Sequence, residues 1–328
     1  MSENKEVLIK IEDVKKYFNA SNAFGNKKGQ VHAVDDINLD IYKGETLGLV
    51  GESGCGKSTL GRTILRLTDA TDGTIYFKDQ DINKLKREPL RQMRKHMQMI
   101  FQDPYSSLNP RMTVMEIIRS PLDAFNIGTK EERDQKVLEI MEKVGLGKQF
   151  LFRYPHEFSG GQRQRVVIAK ALILNPDFVV ADEPVSALDV SVRSQILNLM
   201  KELQEELDFT CLFISHDLSV VKHISNRVAV MYLGKIVELA DKNELYDNPL
   251  HPYTKALLSA IPIPDATVKV KRQILSGDVP SPYDPPSGCH FHTRCPYATE
   301  RCSTECPKLK DMGDGHFVAC HLCEGGAS

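Results

Sequence analysis

Nine residues, Gly51-Glu52-Ser53-Gly54-Cys55-Gly56-Lys57-Ser58-Thr59, satisfy the pattern G-x-x-x-x-G-K-S/T without a mismatch. The residues before them, Glu45 to Val50, read as a buried strand, and Ser58 to Leu67 read as a helix. A strand feeding a Gly-rich loop into a helix N-terminus is the context this pattern needs, and it commits the chain to an α/β core. Gly51, Gly54 and Gly56 permit backbone conformations that turn successive N–H groups inward on phosphate oxygens, and the helix N-terminus assists. Lys57 adds positive charge beside the β and γ phosphates, Ser58 offers a hydroxyl to Mg²⁺, and Thr59 adds a phosphate hydrogen bond. Ser53 belongs to the same cradle, and Cys55 reads as a small filler of a variable position. The stretch is an ATP site in outline.

At 328 residues the chain exceeds the size at which a single core stops growing, so a large domain with an appendage is expected. Its 42 basic and 44 acidic side chains nearly balance, which leaves no global field to attract nucleic acid or an anionic membrane. No apolar run approaches the roughly eighteen residues of a membrane span, and Met1 to Glu6 lack the apolar core of a signal peptide. A cytosolic place is expected, with any membrane role exercised through a protein partner. Of eight cysteines, six fall between Cys289 and Cys323; in that compartment they call for a metal rather than disulfides.

Val7 to Ile11 is a short β-type run, and Val34 with the alternating Ile37, Leu39 and Ile41 is a strand with one buried face. These predict an antiparallel β-lobe. Tyr17 and Phe18 stand where an aromatic ring stacks on adenine, or where it serves the core. After a further strand, Gly73 to Phe77, the apolar run Met97 to Phe101 ends at Gln102. From Asp103 to about Leu174 the period becomes helical: Val137, Ile140, Met141 and Val144 fall at i, i+3, i+4 and i+7, with Gly145 as C-cap. Inside this insertion Ser159-Gly160-Gly161-Gln162 opens a helix, a second N-terminus prepared for an anion.

The strand Phe178 to Asp182 ends in two carboxylates, Asp182 placed to hold the Mg²⁺ shell and Glu183 to orient water or take its proton. Ser186-Ala187-Leu188-Asp189 leads into a helix with Val192, Ile196, Leu199, Leu203 and Leu207 on one face. The strand Cys211 to Ile214 brings His216 to the same sheet edge as the acids. A hairpin about Leu233-Gly234 follows. His251 to Leu258 suggests a short helix, and Pro280 to Pro286 a stiff, largely extended linker.

With these motifs in this order, the chain resembles the ATP-binding subunits of ABC transporters over about residues 7 to 245. The closer likeness is to the ATPase subunits of bacterial oligopeptide and dipeptide importers, the OppF/DppF type, carried by Gly51 to Ser58, the segment His251 to Leu258 and the cysteine-rich end. One departure is Phe158, where the family often has leucine. The resemblance implies an α/β P-loop NTPase core with antiparallel β-lobe and helical subdomain, plus a small C-terminal cysteine-rich extension. The expected division is an ATPase domain over 1–260, its helical subdomain at about 103–174, and the extension over 261–328.

The resemblance also implies roles: Gln102 senses the γ-phosphate, contributes to the Mg²⁺ site and relays to the membrane subunit; Glu183 is general base and His216 the switch histidine. Phe18, or Tyr17 in second place, stacks on adenine. Ser159 to Gln162 serve an ATP held by a second cassette, because two cassettes face head to tail, and Asp189 counts among the nucleotide-binding residues. A paralogous ATPase of the OppD/DppD type, two transmembrane permease subunits and an extracytoplasmic peptide-binding protein complete the implied assembly, at the cytoplasmic face of the membrane and without nucleic acid. Rival readings are an importer of another substrate, such as nickel or a glycan, a soluble ABC ATPase, and a regulatory ATP-binding module.

In the tail, Cys289, Cys295, Cys302 and Cys320 are separated by five, six and seventeen residues, with Cys306 and Cys323 left over. Four thiolates in a segment too small for its own core suggest a metal that organises it. The resemblance implies a [4Fe–4S] cluster on these four; zinc, with His290, His292 and His321 as further donors, is the alternative. No residue of the ATP machinery is expected beyond His216, so the tail is expected to act on stability or regulation.

Overall fold

The computed structural model describes residues 6–21, 27–261, 275 and 277–325. The opening residues Met1 to Lys5 and the start of the expected extension, 262–274, lie outside the described residues. The chain forms two compact units: Met1–Tyr42 with Thr46–Lys84 and Ser215–Ser328, and Lys43–Glu45 with Leu85–Ile214.

The first unit holds an antiparallel sheet of four strands in the order Lys27–Tyr42, Val7–Ser21, Asp72–Phe77, Gln80–Asp81. The expected alternation holds, with Val34, Ile37, Leu39 and Ile41 buried. The step of three from Val34 to Ile37 is a bulge: Val34 pairs with Lys16 and Ile37 with Val14, and Asp36 between them takes φ 60°. The first strand runs to Ser21, well past the short run that periodicity finds, because Asp13 at φ 49° and several register shifts break the period of two.

In the same unit Thr46–Val50, buried at all five positions, lies parallel to Arg227–Tyr232 with Val50 opposite Val230. The hairpin to Lys235–Asp241 turns at Leu233 and Gly234, whose φ values of 40° and 81° suit the primed turns that match strand twist. The tail then adds strands of its own: Phe317–Val318 pairs antiparallel with Lys235–Asp241, and Lys310–Asp311 pairs with Phe317–Val318. The proline-rich stretch is turned rather than extended. Asp284 N–H donates to the Ser281 carbonyl, the Ser281 hydroxyl accepts from Tyr283 N–H, and the Pro282 carbonyl accepts from His32 N–H at 2.8 Å. Proline fixes φ but leaves its carbonyl as an acceptor, and here that acceptor ties the stretch to the β-lobe.

The second unit orders three parallel strands, Met97–Ile100, Phe178–Asp182 and Thr210–Ile214, with Ile100 opposite Ala181 and Asp182 opposite Ile214. Helices Val114–Ala124, Lys130–Lys143 and Gly160–Leu172 begin with reciprocal capping boxes, Thr113/Glu116, Thr129/Glu132 and Ser159/Gln162. Val137, Ile140, Met141 and Val144 are buried as the period requires, and Gly145 at φ 70° lets Leu146 N–H reach the Met141 carbonyl in a Schellman closure. Helix Val190–Leu207 buries Ile196, Leu199 and Leu203 as expected, joined by Leu197 and Met200, while Val192 and Leu207 stay half-buried.

Candidate functional site

Sterics set the shape of the phosphate loop. Gly56 takes φ 107°, and a Cβ there would stand 1.8 Å from the Ala33 carbonyl oxygen; one on Gly51 would stand 2.1 Å from the Met231 oxygen. Two of the three motif glycines therefore also admit a close approach of neighbouring backbone, a second reason for them that the sequence does not display. Helix Lys57–Ile64 starts at Gly56 without a side-chain cap, an end of the kind that suits an anion. It ends at Ile64, short of the expected Leu67, because Arg66 turns to φ 51°.

Lys57 is only 5% exposed, and its ammonium donates to the carbonyls of Gly51 at 2.8 Å and Glu52 at 2.9 Å. It thus sits inside its own loop, where phosphate oxygens compete for it. Cys55 is buried, and burial pushes its thiol up despite the neighbouring Lys57 charge, which fits an inert filler.

Glu52, a variable position in the pattern, is the most heavily held residue of the loop. Its N–H donates to the Tyr253 hydroxyl at 2.9 Å, and its carboxylate receives both terminal nitrogens of Arg294, at 2.8 and 3.2 Å. Sequence reading missed both partners. The His251 to Leu258 segment marked the family but carried no role, and Arg294 lies beyond every motif.

In the second unit the parallel register carries the site. Ile100 opposite Ala181 brings the next residues of both strands side by side, and Gln102 Nε2 donates to Glu183 Oε2 at 3.1 Å. Asp182 is buried at the end of its strand. Glu183 takes φ 45°, unusual for a residue with a Cβ, while its N–H is held by the Ile214 carbonyl at 3.0 Å. Ser186 donates its hydroxyl to the Glu183 carbonyl at 3.0 Å, which closes the turn after the acids. His216 is exposed and stands between Ser215, whose N–H donates to the Leu49 carbonyl, and Asp217, which caps Leu218–Ile224.

The Ser159 side chain accepts from Gln162 N–H, and Gln162 Oε1 accepts from Ser159 N–H at 3.0 Å. Gly161 is required by its neighbour, since a Cβ there would stand 2.4 Å from a Val192 methyl. Gly160 lies on Leu188, and Asp189 caps Val190–Leu207 by position without a side-chain hydrogen bond. Of the two aromatic candidates, Tyr17 is engaged by the fold: it donates to Asp35 and stacks on His32 at 4.2 Å. Phe18 remains 42% exposed with the Lys16 ammonium 4.9 Å from its ring centre. Phe18 is the exposed ring of the two.

The cysteines gather only loosely. Burial first, then the thiols of Cys320, Cys302 and Cys295, push Cys289 up to about 12, so the four lie within one another's field. Yet among the described residues no three His, Cys, Asp or Glu side chains converge to hold a metal ion. The backbone N–H of Cys323 donates to the Cys320 carbonyl, and the three histidines hold backbone carbonyls: His290 that of Leu233, His292 that of Cys289, His321 that of Glu305. The donors expected for a cluster or zinc are of the right kind, but among the described residues they are not gathered into a ligand set. No described helix is long and apolar enough to cross a membrane.

Comparison with known proteins agrees with this geometry. A family profile described as ABC transporter matches residues 34–186, and one described as oligopeptide/dipeptide transporter, C-terminal region, matches residues 237–302. The oligopeptide transport ATP-binding protein AppF of Bacillus subtilis (strain 168) is 58% identical over 97% of this chain and 98% of its own length. A putative peptide import ATP-binding protein of Brucella ovis is 52% identical over 90% of this chain and 94% of its own. Among solved structures, the dimeric post-hydrolysis ATP-binding cassette MJ0796, bound to ADP and Pi, superposes with a TM-score of 0.64 at 31% identity, covering 71% of this chain and 98% of that one. A phosphate loop, a Gln–Glu pair at parallel strand ends and a capped Ser-Gly-Gly-Gln helix, in a chain with these relatives, place it in one family: the chain belongs to the ATP-binding subunits of ABC transporters, in the group that carries the oligopeptide/dipeptide transporter C-terminal region.

Proposed function

We propose that this chain hydrolyses ATP to drive an importer of oligopeptides or dipeptides. The observation that carries the hydrolytic half is the 3.1 Å contact between Gln102 and Glu183, which sets a carboxylate and a γ-phosphate-sensing amide on one spot. The names of the relatives and the match over residues 237–302 support the peptide half.

The roles follow. N–H groups of the loop between Gly51 and Thr59, those of Ser53 and Gly54 among them and that of Glu52 excepted, receive the phosphates, and Lys57 exchanges its loop carbonyls for phosphate oxygens. Ser58, Gln102 and Asp182 are the residues that would hold Mg²⁺, which when bound would neutralise charge on the β and γ phosphates. Glu183 takes the proton of the attacking water, its carboxylate oriented by Gln102 and by a backbone that leaves it few alternatives. His216 contacts the γ-phosphate side, and Phe18 stacks on adenine.

Ser159, Gly160, Gly161, Gln162 and Asp189 serve the ATP of a paralogous partner cassette. The dimeric state of the solved relative MJ0796 supports such a sandwich. Phe101, Tyr105, Phe152 and Tyr154, all exposed on the unit that bears Gln102, offer apolar surface to a permease at the cytoplasmic face of the membrane. Two permeases and an extracytoplasmic peptide-binding protein complete the assembly. The finer cofactor reading, a [4Fe–4S] cluster on Cys289, Cys295, Cys302 and Cys320, rests on the donor set alone, and no step is derived through it. Anaerobic protein that is brown, with about four irons per chain, supports it; protein without iron ends it.

Detergent-solubilised membranes provide the test of class. The tagged chain should bring down two permeases and a second ATPase, and cells without it should lose uptake of a labelled tripeptide. Recovery of soluble partners only, with peptide uptake intact, overturns the reading.

A further inference from the structure

Glu52 poses an electrostatic problem. It puts a carboxylate in a loop whose purpose is to gather anions, and its side chain is 27% exposed, so solvent screens it only in part. Three contacts answer this. The carboxylate is paired in bidentate fashion by Arg294, whose own side chain is 8% exposed; the N–H is fixed on Tyr253; the carbonyl accepts from Lys57 and from Cys55 N–H.

The grip is itself braced. Phe291, three residues before Arg294, meets Tyr232 at 5.2 Å edge-on and Tyr253 at 5.4 Å, and those two tyrosines meet each other at 4.7 Å. Arg294 lies 6.0 Å over the Tyr232 ring. A guanidinium on a rigid aromatic platform, forked onto a carboxylate, is a pre-organised clamp, which a lysine would not reproduce. Arg294 ends the short 3₁₀ turn His292–Arg294, between Cys289 and Cys295, so this side chain carries the cysteine-bearing tail to the nucleotide loop.

We propose that Arg294 is a positioning residue of the nucleotide site: it neutralises Glu52 and draws it aside, which leaves the loop N–H groups and Lys57 set for phosphate and makes ATP affinity depend on the tail. The inference rests on the ATP-site reading and is separable from it. No residue beyond His216 was expected to matter to ATP; the clamp lies 242 positions from the residue it holds.

Titration of the full-length chain with Mg-ATP tests it. Arg294→Ala should raise the Kd about tenfold, equivalent to about 1.4 kcal/mol, and added salt should shrink the deficit by screening the bare Glu52 carboxylate. Arg294→Lys should fall between. The double variant Glu52→Gln/Arg294→Ala should recover most of the affinity, and in the assembled transporter the single variant should raise KM with kcat little changed. A Kd within twofold of wild type in Arg294→Ala overturns the proposal, as does a double variant no better than the single, or a fall in Tm unaccompanied by any change in Kd. Lys57→Ala is the control: if it too binds normally, the ATP-site reading has failed, whereas loss in Lys57→Ala alone fails only the clamp.

Discussion

The Gln102–Glu183 pair and the Glu52 loop are each assembled by a different kind of contact. At the strand ends, two residues meet because parallel strands set Ile100 opposite Ala181, and a tight turn with Ser186 finishes the geometry. At the phosphate loop, the residue that needs restraint is held by Tyr253 and Arg294, 201 and 242 positions away. A site built by sheet register survives changes elsewhere in the chain. One built by remote side chains inherits the stability of whatever carries them, here the helix Pro252–Ser259 and the tail.

The largest effect expected from this contrast is on turnover. Glu183→Gln should lower ATP hydrolysis in the assembled transporter by about 10²- to 10³-fold, the usual weight of a general base, while ATP affinity and Tm stay near wild type. A variant that hydrolyses ATP at the wild-type rate removes Glu183 as the base. One that loses ATP binding as well shows that the strand-end pair is no more self-sufficient than the loop.

A second experiment strikes the remote support. Glu238, fully buried, accepts from Leu250 and His251 N–H at 2.7 and 3.0 Å and from His316 of the tail at 2.7 Å, which fixes the start of the helix that presents Tyr253. His316→Ala leaves this carboxylate without its cation and should cost about 3 kcal/mol of stability, measured by denaturant titration. The pH dependence is specific. Burial works to raise Glu238, but His316 and the backbone donors outweigh it and hold it low; burial works against charge on His316, but Glu238 outweighs it and holds it high.

A lowered carboxylate stabilises above its ordinary value of 4.5 and loses this as pH falls; a raised histidine stabilises below its ordinary 6.5 and loses this as pH climbs through the raised value. The stability difference between wild type and His316→Ala should therefore be greatest between these two values and narrow above neutral pH. A pH-independent difference would remove the ion pair from the account. ATP affinity should weaken along with stability if the helix transmits the damage.

The smallest effect belongs to the adenine. Phe18→Ala should weaken ATP binding about fivefold, or about 1 kcal/mol, the lower end for an aromatic on a base, whereas Tyr17→Phe, which loses only the bond to Asp35, should not change it. The reverse result would exchange the two rings.

What the sequence made legible follows the same division. The loop, the Ser159/Gln162 cap, the Gly145 stop and the strand ends at Gln102 and Glu183 are written in residues a few positions apart, where spacing and propensity decide. The long first strand was underread because the Asp13 irregularity and the register shifts along it erase its period. Arg294 was invisible since nothing local distinguishes a clamp from a solvated arginine. The tail cysteines stand apart from both cases: their crowding suggests a metal shell, but among the described residues no three donor side chains converge, and the histidines hold backbone carbonyls.

The grip on Glu52 also orders events in time. A ribosome adding on the order of 5–20 residues per second takes roughly 12–50 s to travel from Glu52 to Arg294. Throughout that interval the nascent chain carries every letter of the phosphate loop and lacks the side chain that holds it. On this proposal full affinity for nucleotide arrives only once Arg294 has been made, and a message cut short after the motifs would yield a cassette complete to the eye of a pattern search yet slack at its first contact with ATP.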